Sequence, residues 1–305
     1  MASNDQLKKF LLQDRSARVI TTTIQEAWQR AQQHHTIGEP LRQLLGELVG
    51  AATLLAANLK FDGALLLQLQ GQGAVKLIVV ECRVDLSMRA TVKLRREPHA
   101  NETTLQTLLN ADQEGRFSVI LNPPRDNPGR QPYQGVVPLT GDTVAEVLED
   151  YMRQSEQLDT RIWLSADPSR VAGLLLQRMP QTGGQSNVAL TEAQASWQTA
   201  ETICNTLTKE ELLSVSTDTL LHRLFWESPV VGLESHAITW HCGCHRERVA
   251  SMLRSLGQKE VEDIIGEQGD VTVTCEFCGT PYRFDAVDAA ALFENTIHDP
   301  GDSLH

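Results

Sequence analysis

Four cysteines in two tight pairs constrain this chain more than any other feature. One pair is Cys242-Gly243-Cys244, flanked by His241 and His245. The other is Cys275-Glu276-Phe277-Cys278, followed by Gly279. The motif reads C-x-C-x30-C-x2-C. Four thiolates in paired spacing predict a tetrahedral site for one zinc ion. The first pair is the unusual one, because ordinary zinc knuckles use C-x2-C or longer spacing. A C-x-C pair keeps its sulfurs close together, so they can share a metal or oxidise to a strained, easily reduced disulfide.

A module of this size buries little apolar surface, so its stability is expected to come largely from metal. Structural zinc contributes on the order of 10–16 kcal/mol of apparent binding energy, and folding and binding become one event. Four sulfur ligands leave no open position, so the site is not expected to activate water. The sequence offers no convincing nucleotide loop, nucleophile–base arrangement or paired-carboxylate site, so the chain is not expected to be an enzyme. The sulfurs stay nucleophilic towards peroxide or hypochlorous acid. Oxidation is expected to pair neighbours, Cys242 with Cys244 and Cys275 with Cys278, because short loops cost little closure entropy. A purely structural zinc site is the plain alternative. His241 or His245 could replace a cysteine, although four cysteines already complete the shell. Cys275-x-x-Cys278 alone would suit a thiol–disulfide oxidoreductase, but Gly279-Thr280-Pro281 continues as turn and strand where that motif opens a helix.

The chain has 305 residues, 41% of them hydrophobic and 22% charged, which suits a soluble globule with two domains. Its net charge of −12 argues against a nucleic-acid partner, and so against a zinc-ribbon regulator of nucleic acid. The first twelve residues hold no apolar run long enough for a signal peptide. The most apolar segment, 41–59, contains Arg42, Gln43, Glu47 and Asn58, so a buried helix is expected rather than a membrane span. A cytoplasmic location follows as the expectation. A reducing cytosol favours metal over structural disulfides. The isolated Cys82 and Cys204 read as small buried apolar residues.

Along residues 1–180, strand-like and helix-like segments predict an α+β domain with a mostly antiparallel sheet. Strands are expected at 17–23, 64–70, 74–82, 87–94, 117–121, 133–139, 163–165 and 171–179. Helices are expected at 25–34, 40–60, 103–110 and 143–156. Gly71-Gln72-Gly73 reads as a hairpin turn, not a dinucleotide loop, because a strand follows it. Pro180 to Asn187 is turn-rich and marks a boundary. Residues 181–235 read as a helical linker, with helix starts signalled at Thr191 and Thr208 by capping-box patterns. These helices are short, and short helices need docking to be stable. Their apolar stripe, Leu220, Leu221, Leu224 and Phe225, is expected to dock on the N-terminal domain. Released, it would be exposed apolar surface of the kind a binder of unfolded protein needs, with ordinary core packing as the alternative. Residues 236–295 read as the zinc module and 296–305 as a flexible tail.

Longer stretches resemble one family over essentially the whole chain. They include Leu59-Lys60-Phe61-Asp62-Gly63 with Gln68-Leu69-Gln70-Gly71, Tyr133-Gln134-Gly135-Val136-Val137, and Gly141-Asp142-Thr143. Leu148-Glu149-Asp150-Tyr151 with Ser155-Glu156-Gln157-Leu158, the run from Gly173 to Pro180, and Glu210-Glu211-Leu212-Leu213 add to them. With the cysteine spacing, these resemble the heat-shock protein 33 family of redox-regulated bacterial holdases, also called 33 kDa chaperonins. The resemblance implies an α+β domain, a metastable helical linker and a C-terminal zinc domain. It implies an inactive reduced form holding zinc on Cys242, Cys244, Cys275 and Cys278. Oxidation would form Cys242–Cys244 and Cys275–Cys278, release zinc and start ATP-independent holding of unfolded client proteins by a homodimer. His241 directly before the first cysteine departs from the pattern.

Overall fold

The computed structural model describes residues 4–59, 61–124, 131–180 and 187–294. The chain divides into two compact units, Met1–His241 and Cys242–His305. In chain order the first unit holds β1 (Gln6–Leu12), β2 (Ala17–Ile24), α1 (Glu26–Gln32), α2 (Glu39–Asn58), β3 (Ala64–Gln70), β4 (Val75–Arg83) and β5 (Ser87–Leu94). Then come α3 (Leu105–Leu109), β6 (Arg116–Asn122), β7 (Tyr133–Pro138), α4 (Val144–Tyr151), a π-helical turn (Met152–Glu156), β8 (Thr160–Ala166) and β9 (Val171–Arg178). The unit closes with α5 (Asn187–Cys204), α6 (Lys209–Ser214), α7 (Thr217–Leu224), β10 (Val230–Ala237) and β11 (Thr239–Trp240). The second unit holds α8 (Arg246–Leu256), α9 (Gln258–Gln268), β12 (Val271–Thr274), β13 (Pro281–Phe284) and α10 (Ala286–Glu294).

Two sheets build the first unit. One runs β10-β1-β2-β9-β8, and the other β11-β5-β4-β3-β6-β7. Every pairing is antiparallel except β11 with β5. The fold is α+β. Helix α2 lies between the sheets, which is why apolar residues ring it almost completely; Leu45, Leu48, Leu54 and Leu55 are fully buried. Gly46 permits that close packing, since a Cβ there would meet Ala166 Cβ at 2.4 Å. Gly71 opens the expected β3–β4 turn, where a Cβ would lie 1.8 Å from the Leu109 carbonyl oxygen.

Strand β9 is apolar from Val171 to Leu176 because both of its faces are covered. Val171 and Leu175 join the main core around α2. Ala172, Leu174 and Leu176 face the other way. With Leu12, Ala17 and Val19 they form a second core beneath α5, α6 and α7. From the helices come Trp197, Ala200, Cys204, Leu212, Leu220, Leu221, Leu224 and Phe225.

Several elements differ from the sequence expectation. Strand β1 was not expected. Helix 143–156 is α only to Tyr151 and then widens into a π turn. Thr208 caps α6 in a capping box as expected, but Thr191 does not start a helix, because α5 has already begun at Asn187. Residues 236–241, expected at the head of the cysteine module, sit in the first unit. Strand β10 pairs along β1 from Val230 to Ala237, and β11 pairs with β5. The turn at 181–186 and the tail at 296–305 lie outside the described residues.

Candidate metal centre

The second unit brings the four predicted cysteines together. Strands β12 and β13 form a hairpin pairing Val271 with Phe284 and Thr274 with Pro281. The second cysteine pair occupies its tip. There the Gly279 N–H donates to the Cys275 carbonyl at 2.8 Å, and the Cys275 N–H donates to the Thr280 carbonyl at 2.9 Å. This tight turn needs a left-handed residue, and Gly279 supplies it with φ +69°. The first pair precedes α8. His245 is the N-cap of that helix, its Nδ1 accepting from the Arg248 N–H at 3.3 Å.

Cys242 Sγ lies 3.6 Å from Cys275 Sγ, and Cys244 Sγ lies 3.3 Å from Cys278 Sγ. All four sulfurs fall within 4.8 Å of one another. Four sulfurs about 2.3 Å from one zinc ion would sit roughly 3.8 Å apart. The donor set and its spacing therefore fit a tetrahedral thiolate site that can hold a metal ion such as zinc.

Neighbouring groups tune the sulfurs. The Tyr282 hydroxyl donates to Cys244 Sγ at 3.1 Å, and Thr280 Oγ1 lies 3.2 Å from Cys278 Sγ. Burial pushes the metal-free Cys242 thiol up to about 12. Burial also raises Cys278, but the Thr280 hydroxyl and backbone N–H outweigh it and bring that thiol down to about 7. X-ray absorption at the zinc edge of the reduced protein is expected to give an all-sulfur first shell; nitrogen from His241 or His245 would refute this.

The two histidines do not join the cluster. His245 is engaged as a cap, and the His241 backbone N–H bonds to the Met88 carbonyl on β5. Cys82 and Cys204 are fully buried in the first and second cores. Burial pushes the Cys82 thiol far up and Cys204 to about 12, so both are inert. Leu220, Leu221, Leu224 and Phe225 are buried under the helical layer and are 3–7% exposed. Tyr282 and Thr280 were missed from sequence. Their positions after Cys278 carried the only signal, and it needs the hairpin register to be read.

A protein-family model described as "Hsp33 protein" matches residues 5–285. The chain belongs to the Hsp33 family. The 33 kDa chaperonin of Methylobacillus flagellatus is 43% identical over 305 residues, covering 100% of this chain and 99% of that protein. The 33 kDa chaperonin of Chromobacterium violaceum is 40% identical, covering 97% of this chain and 96% of its own. Among solved structures, the Thermotoga maritima 33 kDa chaperonin aligns with a TM-score of 0.80 at 21% identity, covering 97% of this chain and 100% of that one. That likeness concerns the fold. No helix among the described residues is long and apolar enough to cross a membrane.

Proposed function

We propose that this Hsp33 family member is a chaperone of the holdase type, ATP-independent and switched by oxidation. It acts in the cytoplasm on unfolded or partly unfolded proteins, as a homodimer when active. The reading rests on one observation above the others: four convergent sulfurs belong to a unit with a very small apolar core. Its fold therefore depends on what the sulfurs do.

In the reduced state Cys242, Cys244, Cys275 and Cys278 hold one zinc ion, which supplies the cross-link a small module needs. Peroxide transfers one oxygen to a thiolate, giving a sulfenic acid and hydroxide. The neighbouring thiol then attacks that sulfur, and water leaves as the disulfide forms. Two thiols lose two electrons and two protons, and one peroxide becomes two waters. The pairs are Cys242–Cys244 and Cys275–Cys278, because loops of this length close at the least entropic cost. A sulfur in a disulfide no longer serves as a metal donor. The module loses its fold, unfolding spreads along the chain through β11 and β10 into α7, and the second core opens. Leu220, Leu221, Leu224 and Phe225 and the strand residues beneath them then become surface for clients.

Zinc release and free thiols, titrated before and after peroxide beside an aggregation assay, test this reading. Loss of four thiols and of one zinc should accompany suppression of client aggregation. Peptide mapping should find the two local disulfides. Dominant bridges between the pairs, or aggregation suppressed equally by the reduced protein, would overturn it.

A further inference from the structure

The charge of this chain is divided sharply. Residues 1–180 contain twenty Lys and Arg against twenty Asp and Glu. Residues 181–305 contain seven against nineteen, which accounts for the whole net charge of −12. The layer formed by α5, α6 and α7 is thus an acidic, apolar segment seated on a neutral core. Between Asn187 and Glu227 it carries six carboxylates and two cations, Lys209 and Arg223.

The polar contacts across that seat follow the same division. Lys8 on β1 binds Asp218 on α7 at 2.8 Å. Arg161 on β8 binds Glu201 on α5 at 2.5 Å, while also reaching Glu149 at 3.4 Å. Arg170 donates from Nη1 to the Leu213 carbonyl on α6 at 2.7 Å. Three core cations therefore meet three successive linker helices. One contact runs the other way: Lys209 reaches the buried Glu47 at 3.2 Å, and Glu47 also accepts from Gln43. Asp14 sits at the margin and accepts a bond from Ser196.

Arg170 is the least satisfied of these groups. The Leu213 carbonyl accepts from Arg170 Nη1, and Arg170 Nε is buried with no hydrogen-bond partner. A carboxylate can take two parallel bonds from a guanidinium and is a stronger acceptor than a neutral carbonyl. Arg170, beside Asp167 on its own turn, thus keeps a buried donor that an acidic side chain in the covering segment would satisfy.

We propose that the face beneath α5–α7 selects client segments that alternate aliphatic residues with Asp or Glu. Such a segment copies the linker. Its apolar side chains replace Leu212, Leu220, Leu221 and Leu224 against Leu12, Val19, Leu174 and Leu176. Its carboxylates meet Lys8, Arg161 and Arg170, which undocking leaves without their linker partners. Glu47 takes one basic residue or water where Lys209 was. Basic amphipathic segments are disfavoured, because they bring like charge to Lys8, Arg161 and Arg170 and satisfy none of them. This rests on the holdase reading and adds the chemical class of its clients.

The test uses the full chain oxidised with peroxide, and three labelled peptides of equal length and equal Leu content. Their remaining positions are Glu, Lys or Gln. Fluorescence anisotropy at low salt is expected to rank Glu over Gln over Lys, with roughly tenfold or more between the extremes. Raising the salt should shrink that ratio several-fold and leave the Gln peptide nearly unchanged. Arg170→Met should cut the affinity for the Glu peptide several-fold while the Gln peptide binds as before. Lys8→Ser, at a more exposed position, repeats the measurement if Arg170→Met folds poorly. If the Lys peptide binds as tightly as the Glu peptide while aggregation is still suppressed, the charge rule is wrong and the holdase reading stands. If no peptide binds and aggregation is not suppressed, both fall.

Discussion

Replacing Leu221 and Leu224 together with Ser is expected to release the helical layer in the reduced, metal-loaded protein. Both side chains are buried in the second core, at 3% and 7% exposure. Truncating a buried Leu costs about 2–5 kcal/mol. The new hydroxyls add the cost of burying polar groups against Leu174 and Leu176. Helix α7 is eight residues long and α6 six, too short to persist without their docked faces. The combined loss is comparable to the whole stability of a small domain, and it falls on one layer. Hydrogen exchange should therefore rise across 191–227 while α2 keeps its protection. Zinc should stay bound, and client aggregation should be suppressed without oxidant. A variant whose linker exchanges freely but which holds no client would show that undocking is not the activating step.

How much of this was legible in the sequence depends on how local the cause was. Thr208-Lys209-Glu210-Glu211 announces α6 because both halves of a capping box lie within one turn. Helix α2 announces itself because its apolar residues and Pro40 act within the helix. The four cysteines are legible because thiolate ligands need only the right spacing to meet. Strand β1 carries Lys8 and Lys9 between Leu7 and Phe10, and only its last residue and Leu7 are well buried among its apolar positions. It is a strand because β2 and β10 pair with it on either side, and no local pattern encodes that. Strand β10 is exposed along nearly its full length, so it lacks the apolar alternation that marks a half-buried strand. That is why the sequence pattern assigns residues 236–241 to the cysteine module. Thr191 failed as a cap for the opposite reason: a good local signal lies inside a helix already running from Asn187. The Tyr282 bond to Cys244 depends on hairpin register, which the spacing of cysteines does not contain.

Removing the metal is expected to unfold the second unit and leave the main core of the first, around α2, intact. Among its described residues only Ala250, Leu253, Val261, Val271, Phe284, Ala289 and Leu292 form a buried core, and two of the seven are alanines. A core of that size supplies no more than about 3–5 kcal/mol, before the entropy of ordering α8, α9 and α10 is subtracted. Ion pairs such as Arg246–Asp288, with both partners exposed, and Arg283–Asp270, with an exposed arginine, add little. The four-sulfur centre must therefore supply the difference, on the order of 10 kcal/mol. Treatment of the reduced protein with a strong chelator should abolish amide protection in α8, α9, α10 and the β12–β13 hairpin. Protection in α2 and in β3, β4 and β6 should be unchanged. Cys275→Ser should reproduce the chelator's effect, since three sulfurs do not close a tetrahedral shell. Tyr282→Phe is the contrasting variant: it removes one bond to Cys244 Sγ and should leave the unit folded with metal bound. If the chelated protein keeps its protection from Arg246 to Glu294, the small core is sufficient by itself. Oxidation of the cysteines could not then unfold the module, and the switch would have to lie elsewhere.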